Sequence, residues 1–379
     1  MAPLLENPIG HLATLPVQPS PEFESYRRLE LPTVLASCNA IIHGRQSPAT
    51  LVLSPSAGKI VRIYRRVVPE SEFPPGTTYK DYSPKFLLPG LVDAHVHLNE
   101  PGWRTEWEGF ETGTRAAAFG GVTTLIDMPL NAIPPTTTVE NFNTKIKAAK
   151  GQCWVDVGFY GGVIPGNQDE LVPLVKAGVK GFKCFLINSG VDEFPSVTPH
   201  DVTLAMEKLK DTETVLMFHA EMVPPITKSV GDYVTSGEPP LVPTGPLDEY
   251  KTFLESRPSE FETYAIDAIL SCAPTAPDLR LHIVHLSAAE GVPLVKDARE
   301  KGIKLTAETC FHYLTLSAEN IDNGDTRHKC CPPIREAANQ DILWDALKDG
   351  IVTTVVSDHS PCTPDLKLLP SQGGKGDFF

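Results

Sequence analysis

Asp93-Ala94-His95-Val96-His97 follows directly on the apolar run 86–92. On a β-strand side chains alternate between faces, so His95 and His97 point the same way, about 7 Å apart along the strand. Two imidazoles on one face at a strand end can hold a single metal ion. Equally, one can pack in the core while the other caps a loop. The pair alone leaves those readings even. The rest of the chain tips it, because a lysine, further histidines and an aspartate each stand near the C-terminal end of a later apolar run.

Outward from that segment, apolar runs predict strands at 88–97, 122–128, 155–163, 179–187, 215–220, 281–286, 303–309 and 351–357. Helical patterns fall between them at 107–119, 139–150, 168–177, 199–209, 260–272, 289–301 and 339–348. This βα alternation belongs to a parallel sheet. Eight such strands predict an α/β fold of the (β/α)8 TIM-barrel type, with chemistry gathered at the C-terminal strand ends. A doubly wound sheet is the competing architecture, but no Gly-x-Gly-x-x-Gly follows the first strand.

Residues 30–85 do not fit the barrel. The stretches 34–42, 50–53 and 60–68 read as short strands of a small β-rich unit, part of a β-sandwich. The expected division is a loosely ordered, Pro-containing lead-in at 1–29, the β unit at 30–85 and the barrel at 86–379. The polar, Pro-rich stretch 222–259 reads as a long loop after the fifth strand, a lid or substrate loop. Only 22 residues follow position 357, without a helix pattern long enough to cover the eighth strand. The barrel is therefore expected to lack its last helix, which would leave apolar faces of strands eight and one uncovered.

A formal charge of −14 argues against nucleic acid or an anionic membrane as the main partner. No apolar run approaches the roughly 18–20 residues of a membrane span, and no basic region precedes an apolar stretch at the N-terminus. The eight cysteines contain no CxxC spacing, and Cys330-Cys331 make a poor disulfide pair. Cys184 and Cys310 lie in apolar strand patterns, where buried free thiols are usual. These features predict a reduced, cytoplasmic protein.

The barrel carries the chemistry. Lys183 lies among apolar neighbours in the fourth strand, where an amine is costly unless it snorkels, pairs or is modified. A buried amine has a depressed pKa, and its neutral form can react with carbon dioxide to give a carbamate suited to bridging two metals. His219 closes the fifth strand. His282 and His285 are three apart and cannot both face inward, so His285, at the strand's C-terminal end, is the better ligand candidate and His282 the structural one. Asp358 closes the eighth strand. Singly each has a structural explanation; together, His95, His97, Lys183, His219, His285 and Asp358 would converge on one barrel mouth. Four imidazoles, a carbamate and a carboxylate suit two divalent ions, zinc first, with cobalt and manganese also fitting. Two such ions polarise a carbonyl and stabilise the oxyanion that forms. Asp358 would take the proton of the attacking water and pass it to the leaving nitrogen. The implied chemistry is hydrolysis of an amide-like bond.

The segments 93–102, Gly120-Gly121-Val122-Thr123-Thr124, Gly181-Phe182-Lys183 and Ser357-Asp358-His359 resemble the cyclic amidohydrolases. Within them, 106–115, Asp127-Met128-Pro129-Leu130-Asn131 and 329–335 resemble the allantoinase branch. That resemblance implies His95 and His97 on one metal, His219 and His285 on the other, and carbamylated Lys183 between them. Asp358 then serves as ligand and general base, and Asn131 lies near the bound ring. His312, at the end of strand seven, lies beside the site, and groups around Ser287, Pro332 and Pro333 would read the ring amides. In the similar dihydroorotases an arginine stands two residues after the second histidine, where this chain has Asn99. An amide without charge suits a neutral ureide ring such as allantoin better than an anionic one. A homo-oligomer, dimer or tetramer, is expected of the full-length chain. The rivals are a hydantoinase or dihydropyrimidinase, a dihydroorotase, and an inactive fragment or non-catalytic scaffold.

Overall fold

A computed structural model describes residues 31–224 and 245–379. The expected lead-in at 1–29 and the greater part of the expected loop at 222–259 lie outside the described residues. The chain divides into two compact units, Met1–Pro89 and Gly90–Phe379.

The described part of the first unit is a five-stranded sheet: β1 (Thr33–Ile42), β2 (Arg45–Ser54), β3 (Lys59–Tyr64), β4 (Thr78–Asp81) and β5 (Phe86–Leu87). β1 and β2 form an antiparallel hairpin turning through His43 and Gly44, both with positive φ. That is the backbone a two-residue hairpin turn requires, and it matches the strand twist. Val34, Ala36, Ala40, Ala49 and Val52 are fully buried along this hairpin. β4 and β5 both pair with β1 in parallel and were not read from the sequence. They are short and lack a run of alternating apolar residues, so pairing with β1 decides them.

The second unit holds β6 (Leu91–Val96), β7 (Val122–Asp127), β8 (Asp156–Phe159) with its continuation β9 (Gly161–Gly162), β10 (Phe182–Phe185), β11 (Val215–His219), β12 (Arg280–Ile283), β13 (Leu305–Cys310) and β14 (Thr354–Val356). All neighbours pair in parallel, in the orders β6-β7-β8 and β9-β10-β11-β12-β13-β14. A bridge between Val96 and His359 joins the first strand to the end of the last, closing the barrel. All eight expected barrel strands are present, most of them shorter than the apolar runs suggested, although β12 starts one residue earlier and β13 ends one residue later. Seven expected helices are present between them. The helix Pro199–Leu209 shows why: Thr198 caps it, Asp201 returns the bond to the Thr198 N–H, and Pro199 occupies the first turn.

Period-two alternation separates the two faces of each strand. On β10, Phe182 and Cys184 join the large apolar core that also contains the inner faces of the helices, while Phe185 belongs to a second cluster with Met128, Leu130, Tyr160, Met217 and Val284. Lys183 shares the Phe185 side, toward the barrel axis.

Beyond Val356 the chain forms short 3-10 turns (Pro364–Lys367 and Pro370–Gln372) and no α-helix. Leu91 and Val92 at the start of β6 are exposed, whereas Val356 is buried. The end of the chain is nonetheless packed: Phe378 is fully buried against Tyr250 and Phe253, and its N–H donates to the Leu247 carbonyl. Tyr250 and Phe253 belong to a helix, Tyr250–Glu255, inside the stretch read as loop. Its six residues are too few to give a clear periodic signal.

Candidate metal and active site

The C-terminal ends of the barrel strands carry the predicted groups. His95 lies within β6 and His97 one residue past it. The His97 N–H donates to the His359 carbonyl and the Met128 N–H to the Val96 carbonyl, so strands eight and two hold this strand end. Asp127 adds a further tie. It accepts from the Leu98 N–H, and its buried carboxylate pairs at 2.6 Å with Lys145, which also donates to the Met128 carbonyl. Lys183 projects from β10 and His219 ends β11. His285 and Asp358 stand two residues beyond β12 and β14.

Asn99, Asn131, His285 and Asp358 all have positive φ. Left-handed backbone is costly outside glycine and collects where a side chain must be aimed. Here the chain turns sharply off a strand end and directs the next polar group toward the axis.

The groups form two sets. His95 Nε2 lies 3.0 Å and His97 Nε2 3.4 Å from Asp358 Oδ1, and the three ligand atoms are within 4.8 Å of one another. His219 Nδ1 lies 3.0 Å from His285 Nε2. Lys183 Nζ stands 3.1 Å from His95 Nε2. Outward-facing nitrogens are held by carboxylates: His95 Nδ1 by Glu308 at 2.5 Å and His219 Nε2 by Glu221 at 2.7 Å. A carboxylate on one ring nitrogen fixes the proton there and leaves the other nitrogen's lone pair facing inward. Asn131 takes the corresponding place at His97 Nδ1, 3.3 Å away. This donor set of imidazoles and a carboxylate, each oriented from behind, fits divalent ions of the zinc type.

The electrostatics agree. Burial, reinforced by Lys183 and His95, outweighs the Asp358 contacts and brings His97 down to about 4. Burial likewise lowers His219 and, with the neighbouring His219 and Lys183, places His285 well below its ordinary value. All three are neutral near pH 7, the form that offers a lone pair. Burial lowers Lys183 against the pull of Asp358 and Glu308. For Asp358 burial works upward, but His95 and the hydrogen bonds from His95 and His97 prevail and hold it well below the carboxylate range. Glu308 and Glu221, despite burial, are held at about 2 chiefly by the histidines they orient, His95 and His282 for Glu308 and His219 for Glu221, helped there by Arg257.

The groups open onto a cavity of about 780 Å³ lined by His97, Asn131, Lys183, His219, His285, His312 and Asp358, with Leu130, Phe185, Ile187 and Ile334 as its apolar wall. His312 is largely buried, and its Nε2 has no partner among the described residues. Asn99, Ser287 and Pro333 are not among the residues that line this cavity. Asn99 is buried off the cavity, and its amide reaches the Pro361 carbonyl, bracing the turn that carries Asp358. The Ser287 hydroxyl donates to the Pro333 carbonyl at 2.6 Å. The Ser287 N–H is taken by Glu262, its carbonyl by Asn339, and the Pro332 carbonyl by the Tyr313 hydroxyl.

Residues 86–239 match the amidohydrolase family. The chain is 50% identical over 351 residues to "Allantoinase" of Saccharomyces cerevisiae, covering 91% of this chain and 73% of that protein. The chain belongs to the allantoinase family. A second family member, "Allantoinase" of Streptomyces avermitilis, is 45% identical over 337 residues, 88% of this chain and 71% of the other. "Allantoinase, mitochondrial" of Aquarana catesbeiana is 51% identical over 304 residues, 80% of this chain but 59% of its own length. This chain is also similar in structure to an L-hydantoinase (dihydropyrimidinase) from Arthrobacter aurescens, with TM-score 0.74 and 27% identity over 91% of this chain and 72% of that one.

Glu308, Glu221, Arg257, Asp127 and Glu262 went unread in the sequence. Glu308 had a usable signal, since a carboxylate inside the apolar run Leu305–Cys310 is as anomalous as Lys183 in β10. His282, read as structural, holds the second Glu308 oxygen at 3.0 Å and so positions the carboxylate behind His95.

Proposed function

We propose that this chain hydrolyses the ring amide of allantoin to allantoate, a step of purine and ureide nitrogen catabolism. The observation that carries the reading is 50% identity to a curated allantoinase across 91% of the chain, together with intact ligand-type residues around one cavity. His95 and His97 would hold one divalent ion and His219 and His285 another, zinc foremost. Lys183, carbamylated by carbon dioxide on its neutral amine with loss of a proton, would be shared between them. The ions would supply Lewis-acid polarisation of the ring carbonyl and a lowered pKa for the attacking water.

The remaining roles belong to side chains. Asp358, ionised and within reach of His95 and His97, accepts the water proton at its carboxylate and returns it to the ring nitrogen as the C–N bond breaks. Asn131 and the unpaired Nε2 of His312 offer hydrogen bonds to the ring. Leu130, Phe185, Ile187 and Ile334 exclude bulk water. No helix among the described residues is long and apolar enough to cross a membrane. All eight cysteines are free thiols, which suits a reducing cytoplasm.

The hydantoinase reading rests on the 27% structural neighbour. Assaying protein reconstituted with zinc, cobalt or manganese against allantoin, dihydroorotate and dihydrouracil decides. Preferential opening of allantoin is expected; preference for either of the other two rings overturns the proposal.

A further inference from the structure

The four imidazoles are not held alike from behind. His95 has Glu308, which a second imidazole, His282, also grips, and His97 has Asn131. In the other pair, His285 Nδ1 is buried with no partner among the described residues, so the orientation of that pair rests on His219. The His219 ring stacks on Phe185 with centroids 4.5 Å apart and planes 17° from parallel. Stacking fixes the plane but not which edge faces inward, because a half-turn about χ2 leaves the plane unchanged. The bond from His219 Nε2 to Glu221 at 2.7 Å selects the edge and turns Nδ1 toward His285.

Glu221 is itself fully buried, and its second oxygen has no partner among the described residues. Beyond His219, the carboxylate is anchored by Arg257, whose Nη1 donates to the same oxygen at 2.6 Å. A carboxylate shut away from water keeps its place only with such partners, and removing one leaves the charge uncompensated. Arg257 comes from outside the barrel strands, between the helices Tyr250–Glu255 and Ser259–Cys272. Its backbone is pinned there. The Arg257 N–H donates to the Leu254 carbonyl at 3.1 Å, and its carbonyl accepts at 3.2 Å from Arg335, which pairs with Glu262 at 2.8 Å. We propose that Arg257 is a positioning residue for the second ion. By holding Glu221 on His219 Nε2 it keeps His219 Nδ1 turned inward, so the His219–His285 pair depends on Arg257 and the His95–His97–Asp358 set does not. The inference rests on the two-ion reading above. It adds that the segment between strands five and six governs one ion and not the other.

The test uses the full chain, stripped and reloaded with zinc, as wild type, Arg257→Gln, Glu221→Gln, the double variant and Arg257→Lys. Chelator competition gives the affinity of each ion, and anomalous diffraction at the zinc edge gives the occupancy at each histidine set. Arg257→Gln should weaken the ion at His219 and His285 about 10- to 100-fold and leave the ion at His95 and His97 within about twofold, as for other lost outer-sphere partners. Arg257→Lys should restore most of the loss. The double variant should bind no more weakly than Glu221→Gln alone, because Arg257 acts through that carboxylate. A His219–His285 pair that fills in wild type and is unaffected by Arg257→Gln overturns this proposal alone. So does an equal loss at both sets, which marks a general loosening of the wall, or an additive loss in the double variant, which puts the action of Arg257 elsewhere. A wild type that leaves the His219–His285 pair empty overturns the two-ion reading and this proposal with it. Should Arg257→Gln fail to fold, Arg257→Met, which keeps the apolar stem, is judged by the same outcomes.

Discussion

At the scale of single residues, the site depends on charges placed where water is scarce. Lys183 is fully buried beside His95, where the proposed carbamate would be shared between the two ions. Lys183→Ala should abolish turnover and reduce bound metal. Short carboxylic acids added to the variant should restore part of the rate by supplying the missing oxygens. Metal content and rate near wild type would rule out the shared role. Asp358→Asn keeps the shape of the side chain but removes proton-accepting capacity, so turnover should fall about 10²- to 10⁴-fold with the fold intact. An unchanged rate and pH profile would assign the base elsewhere. Glu308→Gln tests the orientation from behind. A neutral amide at His95 Nδ1 weakens the preference for one tautomer, and metal affinity should drop about 10- to 100-fold. Equilibrium metal titration against a chelator reads it directly.

At the scale of elements, the barrel strands hold these groups in register. Gly162 in β9 pairs with Lys183 in β10, and a Cβ there would meet the Phe194 ring at 2.3 Å. Phe194 is itself fully buried and packed on Phe185, which stacks on His219 at 4.5 Å. Gly162→Ala should therefore cost about 1–3 kcal/mol of stability through overpacking. It should also lower activity, because the displaced Phe194 pushes toward the Phe185 and His219 stack. Thermal unfolding and turnover measured together check it; a normal melting temperature would show that the strand relaxes. The eight barrel strands were legible because each is a local apolar run long enough to stand out. β4 and β5 of the small sheet, and the helix Tyr250–Glu255, are too short to carry that signal and exist through their pairing and packing.

At the scale of the whole molecule, the buried histidines couple folding to pH. His97 titrates near 4 when folded against 6.5 in an open chain, and His219 and His285 are displaced in the same direction. Between those pH values the unfolded chain binds protons that the folded one refuses, so stability rises with pH across that window and falls on acidification. His97 alone corresponds to about 3 kcal/mol, at ~1.4 kcal/mol per unit. His95, raised by Asp358 and Glu308 against burial, contributes with the opposite sign. Metal-stripped protein should thus lose several degrees of melting temperature between pH 6.5 and 4.5. Metal restored near neutral pH should stabilise it further, because the ion binds only the folded state. A flat stability profile across that range would mean the strand ends hydrate when stripped.

The sequence by itself determined the barrel and the identity of its ligand-type residues. Apolar runs alternating with helical patterns are local, and a lysine or histidine inside such a run is visible without knowing what lies across from it. Only the tertiary structure decided which residues support them. Glu308 reaches His95 across 213 positions, and Asn99 braces the Pro361 turn across 262. Ser287 and Pro333, both read as substrate contacts, are joined to each other by a hydrogen bond. Such partnerships leave no periodic trace, because they follow from the need of every buried polar group for a partner, and that partner is chosen by barrel closure.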